Sequence, residues 1–288
     1  MPETAAVLPA STAIGAVHLT VAALDRAVAF YQETIGFRLV GRFGPVAELS
    51  ATGHPPVHLI LTERPQARRG RTAGLYHFAI LLPSRPDLGR ALRHLVEAQA
   101  PLEGASDHAV SEALYLRDPE GNGIEIYADR PPAQWPRRGT ELAMTTTALD
   151  LQGLLAEAGG AWSGLPDGTR IGHIHLHVAD LRRSEAFYAG ILGFTVTLRS
   201  YPGALFLAAG DYHHHLGLNT WAGTDLLAAD PEGLGLRYFT LTLPDRASRD
   251  EVVDRLRRAR VPVQEARHGS VAGWLTHDPD GIGVLLTT

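Results

Sequence analysis

Three side chains in the first half of the chain have the types and strand positions that a divalent metal requires: His18 in "VHLTV", His77 in "GLYHFAILLP" and Glu125 in "GIEIYAD". Successive side chains of a strand point to opposite faces. In "VHLTV" the residues Val17, Leu19 and Val21 form an apolar face, which leaves His18 and Thr20 on the other. By the same alternation Tyr76, Phe78 and Ile80 are expected to pack outward and His77 to point inward, while Ile124 and Ile126 leave Glu125 and Tyr127 on the inner face. Two imidazoles and a carboxylate from separate strands make a facial ligand set for Fe(II), with Mn(II), Zn(II) or Ni(II) as alternatives, and leave three positions open. Taken singly, each residue is more simply a hydrogen-bonded strand histidine or a solvated glutamate. Their recurrence at equivalent strand positions favours the metal.

That equivalence comes from repetition. "GAVHLTVAALDRAVAFYQETIGF" at 15–37 aligns without a gap to "GHIHLHVADLRRSEAFYAGILGF" at 172–194, and about half the positions are identical. Farther on, "GLYHFAILLP" answers "GLRYFTLTLP", and "DPEGNGIEIYAD" answers "DPDGIGVLLTT". The chain is a tandem duplication. The second copy keeps His175 at the position of His18 and His215 at that of His58, but puts Tyr238 where His77 stands and Leu285 where Glu125 stands. It therefore reads as a degenerate scaffold. It is nonetheless rich in histidine: His173, His175 and His177 share one strand face, as do His213 and His215. A second metal held by histidines alone competes there with a polar cup interior or a domain contact.

The elements that must position these groups recur too. "VHLTV" alternates as a strand, and "LDRAVAFYQETIGF" has apolar residues at helical spacing and stops at Gly36. Three short strands follow, and then strand "YHFAILL", helix "DLGRALRHLVEAQA" and three more strands repeat the order. The expectation is an α+β protein of four βαβββ modules, with curved mixed sheets, helices outside, and two consecutive modules closing one cup per domain. The domains are placed at 10–130 and 170–288. A connector at 131–169 is Pro-rich at its start, Gly-rich at its end, and holds a short helix "DLQGLLAEA" capped by Asp150.

The bulk numbers narrow the function classes. The 288 residues suit two domains, and a net charge of −5 gives no basic footprint for nucleic acid. There are no cysteines, so thiolate nucleophiles, disulfides and Cys-ligated zinc are excluded, whereas fourteen histidines are many for this length. The first fifteen residues lack the charged and apolar regions of a signal peptide, and no apolar run is long enough to span a bilayer, so a cytoplasmic protein without a membrane partner is expected.

The fourfold βαβββ plan, the inward histidine opening a module, and above all "SDHAVSEALYLRDPEGNGIEIYADRP" resemble the vicinal oxygen chelate superfamily, which unites glyoxalases, bleomycin resistance proteins and extradiol dioxygenases. Within it the whole chain is similar to two-domain ring-cleaving dioxygenases of the catechol 2,3-dioxygenase type. The resemblance implies Fe(II) on His18, His77 and Glu125, a small aromatic diol (catechol or hydroquinone) and O2 as substrates, and cleavage beside the diol. It also implies His58 as base or oxygen-stabilising group, and His108 and Tyr115 as hydrogen-bonding or proton-delivering groups. One departure is clear: such enzymes keep the metal in the second domain, whereas the triad read here lies in the first. A glyoxalase-type isomerase or thiol-adduct lyase, and a non-catalytic protein that sequesters an aromatic compound or antibiotic, are the alternatives. A homo-oligomer is compatible with the family, although no surface stripe decides it.

Overall fold

Four times along the chain a strand is followed by a helix and three more strands. The computed structural model describes residues 7–288, so the first six residues of the N-terminal stretch read above lie outside it. Module 1 comprises β1 (Ala13–Val21), α1 (Leu24–Ala29), β2 (Arg38–Phe43), β3 (Val46–Ser50) and β4 (Leu59–Glu63). Module 2 comprises β5 (Gly74–Leu82), α2 (Arg85–Glu97), β6 (Leu102–Asp107), β7 (Ser111–Arg117) and β8 (Gly123–Asp129). The connector holds β9 (Arg137–Arg138), β10 (Glu141–Leu142), β11 (Thr147–Ala148) and α3 (Leu151–Glu157), whose N-cap Asp150 accepts from the amide of Gly153. Module 3 comprises β12 (Arg170–His177), α4 (Leu181–Glu185), β13 (Thr195–Leu198), β14 (Ala204–Ala208) and β15 (Leu216–Asn219). Module 4 comprises β16 (Gly235–Thr242), α5 (Arg246–Arg258), β17 (Val263–His268), β18 (Val271–His277) and β19 (Gly283–Thr287).

Within every module the first strand pairs in parallel with the last: β1 with β4, β5 with β8, β12 with β15, and β16 with β19. Parallel neighbours need a crossover, and the helix of each module supplies it. The crossover helices hold to the sheets by apolar stripes. In α2 these are Leu88, Leu92 and Leu95, and Ser84 caps the helix by accepting from the amide of Asp87. Helices α1 and α4 each end in a π-helical turn, 30–35 and 186–192, closed by a left-handed glycine, Gly36 at φ 94° and Gly193 at φ 95°.

The four modules and two curved mixed sheets match the expected α+β plan, but the partnering of modules does not. One sheet has the order β17-β18-β19-β16-β1-β4-β3-β2 and joins module 1 to module 4; the other, β11-β6-β7-β8-β5-β12-β15-β14-β13, joins module 2 to module 3. Each sheet is closed at its centre by antiparallel first strands, β1 on β16 and β5 on β12. Each cup therefore draws on both halves of the duplication.

Consecutive modules still touch, through a buried buttress that explains the repeated Asp-Pro turns. Asp118 accepts at one oxygen from the amides of Glu120 and Asn122 and at the other, 2.8 Å away, from the hydroxyl of Tyr31 in module 1. Asp278 is held in the same way by the amides of Asp280 and Ile282 and, at 3.1 Å, by Tyr188 of module 3. Removing either phenolic donor leaves a buried carboxylate short of a partner. Tyr31→Phe and Tyr188→Phe should each lower stability by about 1–3 kcal/mol, read as a lower urea midpoint with an unchanged slope.

Candidate functional site

The cup of modules 2 and 3 holds a cavity of about 430 Å³, within the range of small-molecule sites. Its floor is a group of buried ionisable residues. His77 stands on β5, Glu125 on the neighbouring β8, and His173 on β12 across the central antiparallel pair. His77 Nε2 lies 2.9 Å from Glu125 Oε2, and His173 Nε2 lies 3.1 Å from the same oxygen. One ligand atom from each falls within 4.8 Å of the others, and among the described residues this is the one group of three or more metal-ligating side chains that converges so.

The donor chemistry fits a cation. Burial pushes the pKa of His77 down, which Glu125 only partly reverses, so the ring is a neutral imidazole with a lone pair. Burial pushes the Glu125 carboxyl up, but the neighbouring His173 and then His77 outweigh it and hold the group well below the usual carboxylate range. His77 Nε2 is buried without a hydrogen bond, although it sits so close to the carboxylate oxygen. Two imidazole nitrogens and an anionic oxygen that converge, one of the nitrogens with its hydrogen bond unmade, form the donor set that a divalent ion satisfies.

Above this floor the walls are aromatic and polar. Tyr76, Tyr201, Phe206 and Trp221 line the cavity, as do Tyr115, His108, His175 and His214. His108 Nδ1 lies 2.7 Å from the carbonyl of Thr145, which can only accept, so the ring donates there. Its Nε2, at 2.6 Å from the Tyr115 hydroxyl, then accepts from that phenol. Burial and the charge of Glu125 push the Tyr115 pKa well above the ordinary value, which keeps it a phenol. The connector forms part of the rim: Met144, Thr145 and Thr146 border the cavity, and β11 extends the sheet by pairing with β6.

These placements correct the sequence reading at several points. The structure brings His77, Glu125, His108 and Tyr115 into one cavity. It does not bring His18 there. His18 lies in the other sheet, its Nε2 2.7 Å from Thr62 Oγ1 and its ring edge-on to Tyr238, because β1 pairs with β16 of module 4. Nor does it bring His58 there. That ring, with its Nδ1 3.4 Å from the amide of Ala51, secures a hairpin, and His215 repeats the contact to the amide of Ala209 at 3.2 Å. Tyr76 faces the cavity and not a helix. Opposite it the β5–β12 register slips, with His175 facing His77 but Leu176 facing Leu75, and this irregularity frees Tyr76 to turn inward. The second half is not a bystander, since His173, His175 and His214 all line this cavity.

Residues 13–126 and 170–286 each match the Glyoxalase/Bleomycin resistance protein/Dioxygenase superfamily. The chain belongs to that superfamily. A curated relative, the catechol-2,3-dioxygenase of Bacillus subtilis (strain 168), is 48% identical over 264 residues, which span 89% of this chain and 92% of the relative. A solved structure from Bacillus subtilis subsp. subtilis str. 168 superimposes with a TM-score of 0.69 at 12% identity, covering 98% of this chain and 86% of its own. Glyoxalase I from Zea mays gives 0.59 at 18% identity, covering 96% and 92%. Among the described residues no helix is long and apolar enough to cross a membrane.

Among the described residues, the cup of modules 2 and 3 is the one that brings two histidines and a glutamate together. His173 was visible in the sequence as one of three histidines on a strand face, but the module pairing assumed there put it in the wrong cup. His214 gave no signal in the pattern, because it falls between His213 and His215 on the opposite parity. The floor also needs glycine. A Cβ on Gly172 would overlap the hydroxyl of Tyr127, which lies 2.7 Å from the Tyr212 hydroxyl beneath the cavity. Gly172→Ala should displace Tyr127 and cost about 1–3 kcal/mol by overpacking, measurable by denaturant titration.

Proposed function

We propose that the protein is a metal-dependent extradiol dioxygenase that adds O2 to a catechol- or hydroquinone-type diol, with His77, Glu125 and His173 as the metal ligands. The convergence of these three donors at the floor of an aromatic-walled cavity carries the reading, and the 48% identity to a catechol-2,3-dioxygenase supports it. His77, Glu125 and His173 would hold Fe(II) through two imidazoles and a carboxylate, and the ion would supply the one-electron chemistry that lets a spin-paired ring react with O2.

The chain's own residues do the rest. Tyr76, Tyr201, Phe206 and Trp221 offer apolar faces to a planar ring and keep bulk water from the floor. Binding a diol as its anion requires a base. His214 lines the cavity, its Nε2 has no hydrogen-bond partner among the described residues, and burial pushes its pKa well below the ordinary value, so it is an unprotonated imidazole ready to take a hydroxyl proton. The Tyr115 phenol is committed as donor to His108, which leaves its oxygen lone pairs free to accept from a bound hydroxyl or from the ring-opened enol. His58, buried at its hairpin, takes no part.

Two measurements test the reading. Stoichiometric iron should be recovered with the native chain and with His18→Ala, whereas Glu125→Gln, His77→Ala and His173→Ala should each weaken metal binding by more than about 100-fold, beyond the loss typical of outer-shell partners. Retention of iron by Glu125→Gln, or its loss in His18→Ala, would reassign the site. Separately, the Fe(II)-loaded protein should consume one O2 per catechol with growth of a yellow ring-opened product. Absence of uptake with every catechol and hydroquinone tried would leave the isomerase or the binding protein.

A further inference from the structure

We propose that Asp129 and His213 are positioning residues that hold His214 as the tautomer whose bare Nε2 faces the cavity. The inference rests on the reading of that cavity as a diol site, and it deepens that reading by naming what makes the base basic. Asp129 ends β8, four residues beyond Glu125, and its two oxygens meet two donors: His213 Nε2 at 2.8 Å and the Tyr212 hydroxyl at 2.9 Å. The hydroxyl of Tyr127, 2.7 Å from that of Tyr212, donates in turn to Tyr212, whose own proton is committed to the carboxylate.

The direction of the remaining bonds follows from this anchor. A carboxylate oxygen accepts, so a His213 ring with one proton carries it on Nε2 and leaves Nδ1 as a lone pair. That Nδ1 lies 2.7 Å from the Nδ1 of His214. Two ring nitrogens at that distance need one proton between them, and with the His213 proton held by Asp129 it belongs to His214. With its proton on Nδ1, neutral His214 has a lone pair on Nε2, the nitrogen that meets no protein partner. His213 is fully buried, Trp135 and Tyr212 pack on its ring at 5.2 and 4.0 Å, and so its orientation is fixed by packing as well as by charge. His214 is wedged against His173 at 4.2 Å and Phe206 at 5.0 Å. Asp129 does not line the cavity. It acts through two rings.

The arrangement joins the two halves of the duplication, since Asp129 comes from module 2 and both histidines from module 3. The histidine pair has no counterpart in the other sheet: Pro56 and Val57 stand at the positions of His213 and His214.

The test reads the tautomer directly. In full-length, zinc-loaded protein labelled with 15N-histidine, His214 should show a protonated Nδ1 and an unprotonated Nε2. Asp129→Asn, whose amide can donate as well as accept, should shift His214 toward the opposite tautomer. In the iron-loaded enzyme it should lower kcat for catechol by about 10- to 100-fold with KM changed by no more than about 2-fold, and Asp129→Glu should restore both readouts in part. A wild-type His214 protonated on Nε2 overturns the proposal without any variant. So does Asp129→Asn with an unchanged tautomer, or with a changed tautomer and full kcat. If no diol is turned over by the wild type, the proposed reaction fails while the nitrogen spectra still decide the tautomer.

Discussion

The site depends on one pairing, the antiparallel contact of β5 with β12. That ladder places His175 opposite His77 and brings His173 over the carboxylate of Glu125. Without it, the two donors of module 2 would lack a third, and the cavity would lose the wall that carries His214, Phe206 and Trp221. Everything local to a module is arranged so that this pairing can occur. The parallel β5–β8 ladder sets His77 beside Glu125, the crossover helix α2 covers the outer face, and the Asp118 turn fixes where β8 begins. Sheet closure between modules about 100 residues apart in sequence is the step that converts a scaffold into a site, and the β1–β16 closure of the other sheet is more non-local still.

Local pattern was therefore legible and long-range partnering was not. Strand alternation correctly turned His77 and Glu125 inward, because side-chain period in a strand is a property of the backbone. Repetition correctly gave four modules, and the Asp-Pro frames marked equivalent turns. But repetition says which modules are alike, never which share a ladder. His18 and His175 are equivalent in sequence, yet the pairing of β1 with β16 puts His18 against Tyr238, while β5 sets His77, a proposed metal ligand, opposite His175. Tyr76 was misplaced for a related reason: a register irregularity between strands of different modules leaves no trace in either strand alone. His58 and His215 show the complementary error, in which an equivalent pair of histidines signals a shared hairpin contact and not shared chemistry.

Burial governs the chemistry of so many adjacent histidines. His77, His175, His214 and His215 all have pKa values pushed below the ordinary one by desolvation, the last to about 3. A cluster of imidazolium ions in such a space would repel itself, whereas neutral rings stack edge to face and keep lone pairs for a metal, a proton or another ring. Two carboxylates here are met by histidine nitrogens, Glu125 at the floor and, one layer below, Asp129. The cup thus separates its functions by depth: donors converging on one point above, a tautomer-setting chain beneath.

The second cup shows what the duplicate positions become when chemistry is withdrawn. At the places of His77 and Glu125 stand Tyr238 and Leu285, both fully buried, and His18 bonds to Thr62 rather than to an acid. Its interior still holds polar atoms without partners among the described residues, His18 Nδ1, Thr20 Oγ1 and the Tyr238 hydroxyl. Unpaired groups of this kind cost stability, so this cup has not been optimised as an apolar core; it retains the inward polarity of a site, and its buried acid, Glu48, is taken up by the amide and hydroxyl of Ser270. The rings of His18, His268 and Tyr238 pack on one another there at 4.7–5.4 Å. Leu285 adds no buried charge to this cup and lets β19 pack, so the difference between Glu125 and Leu285 is a packing solution on one side and, on the proposed reading, a metal ligand on the other.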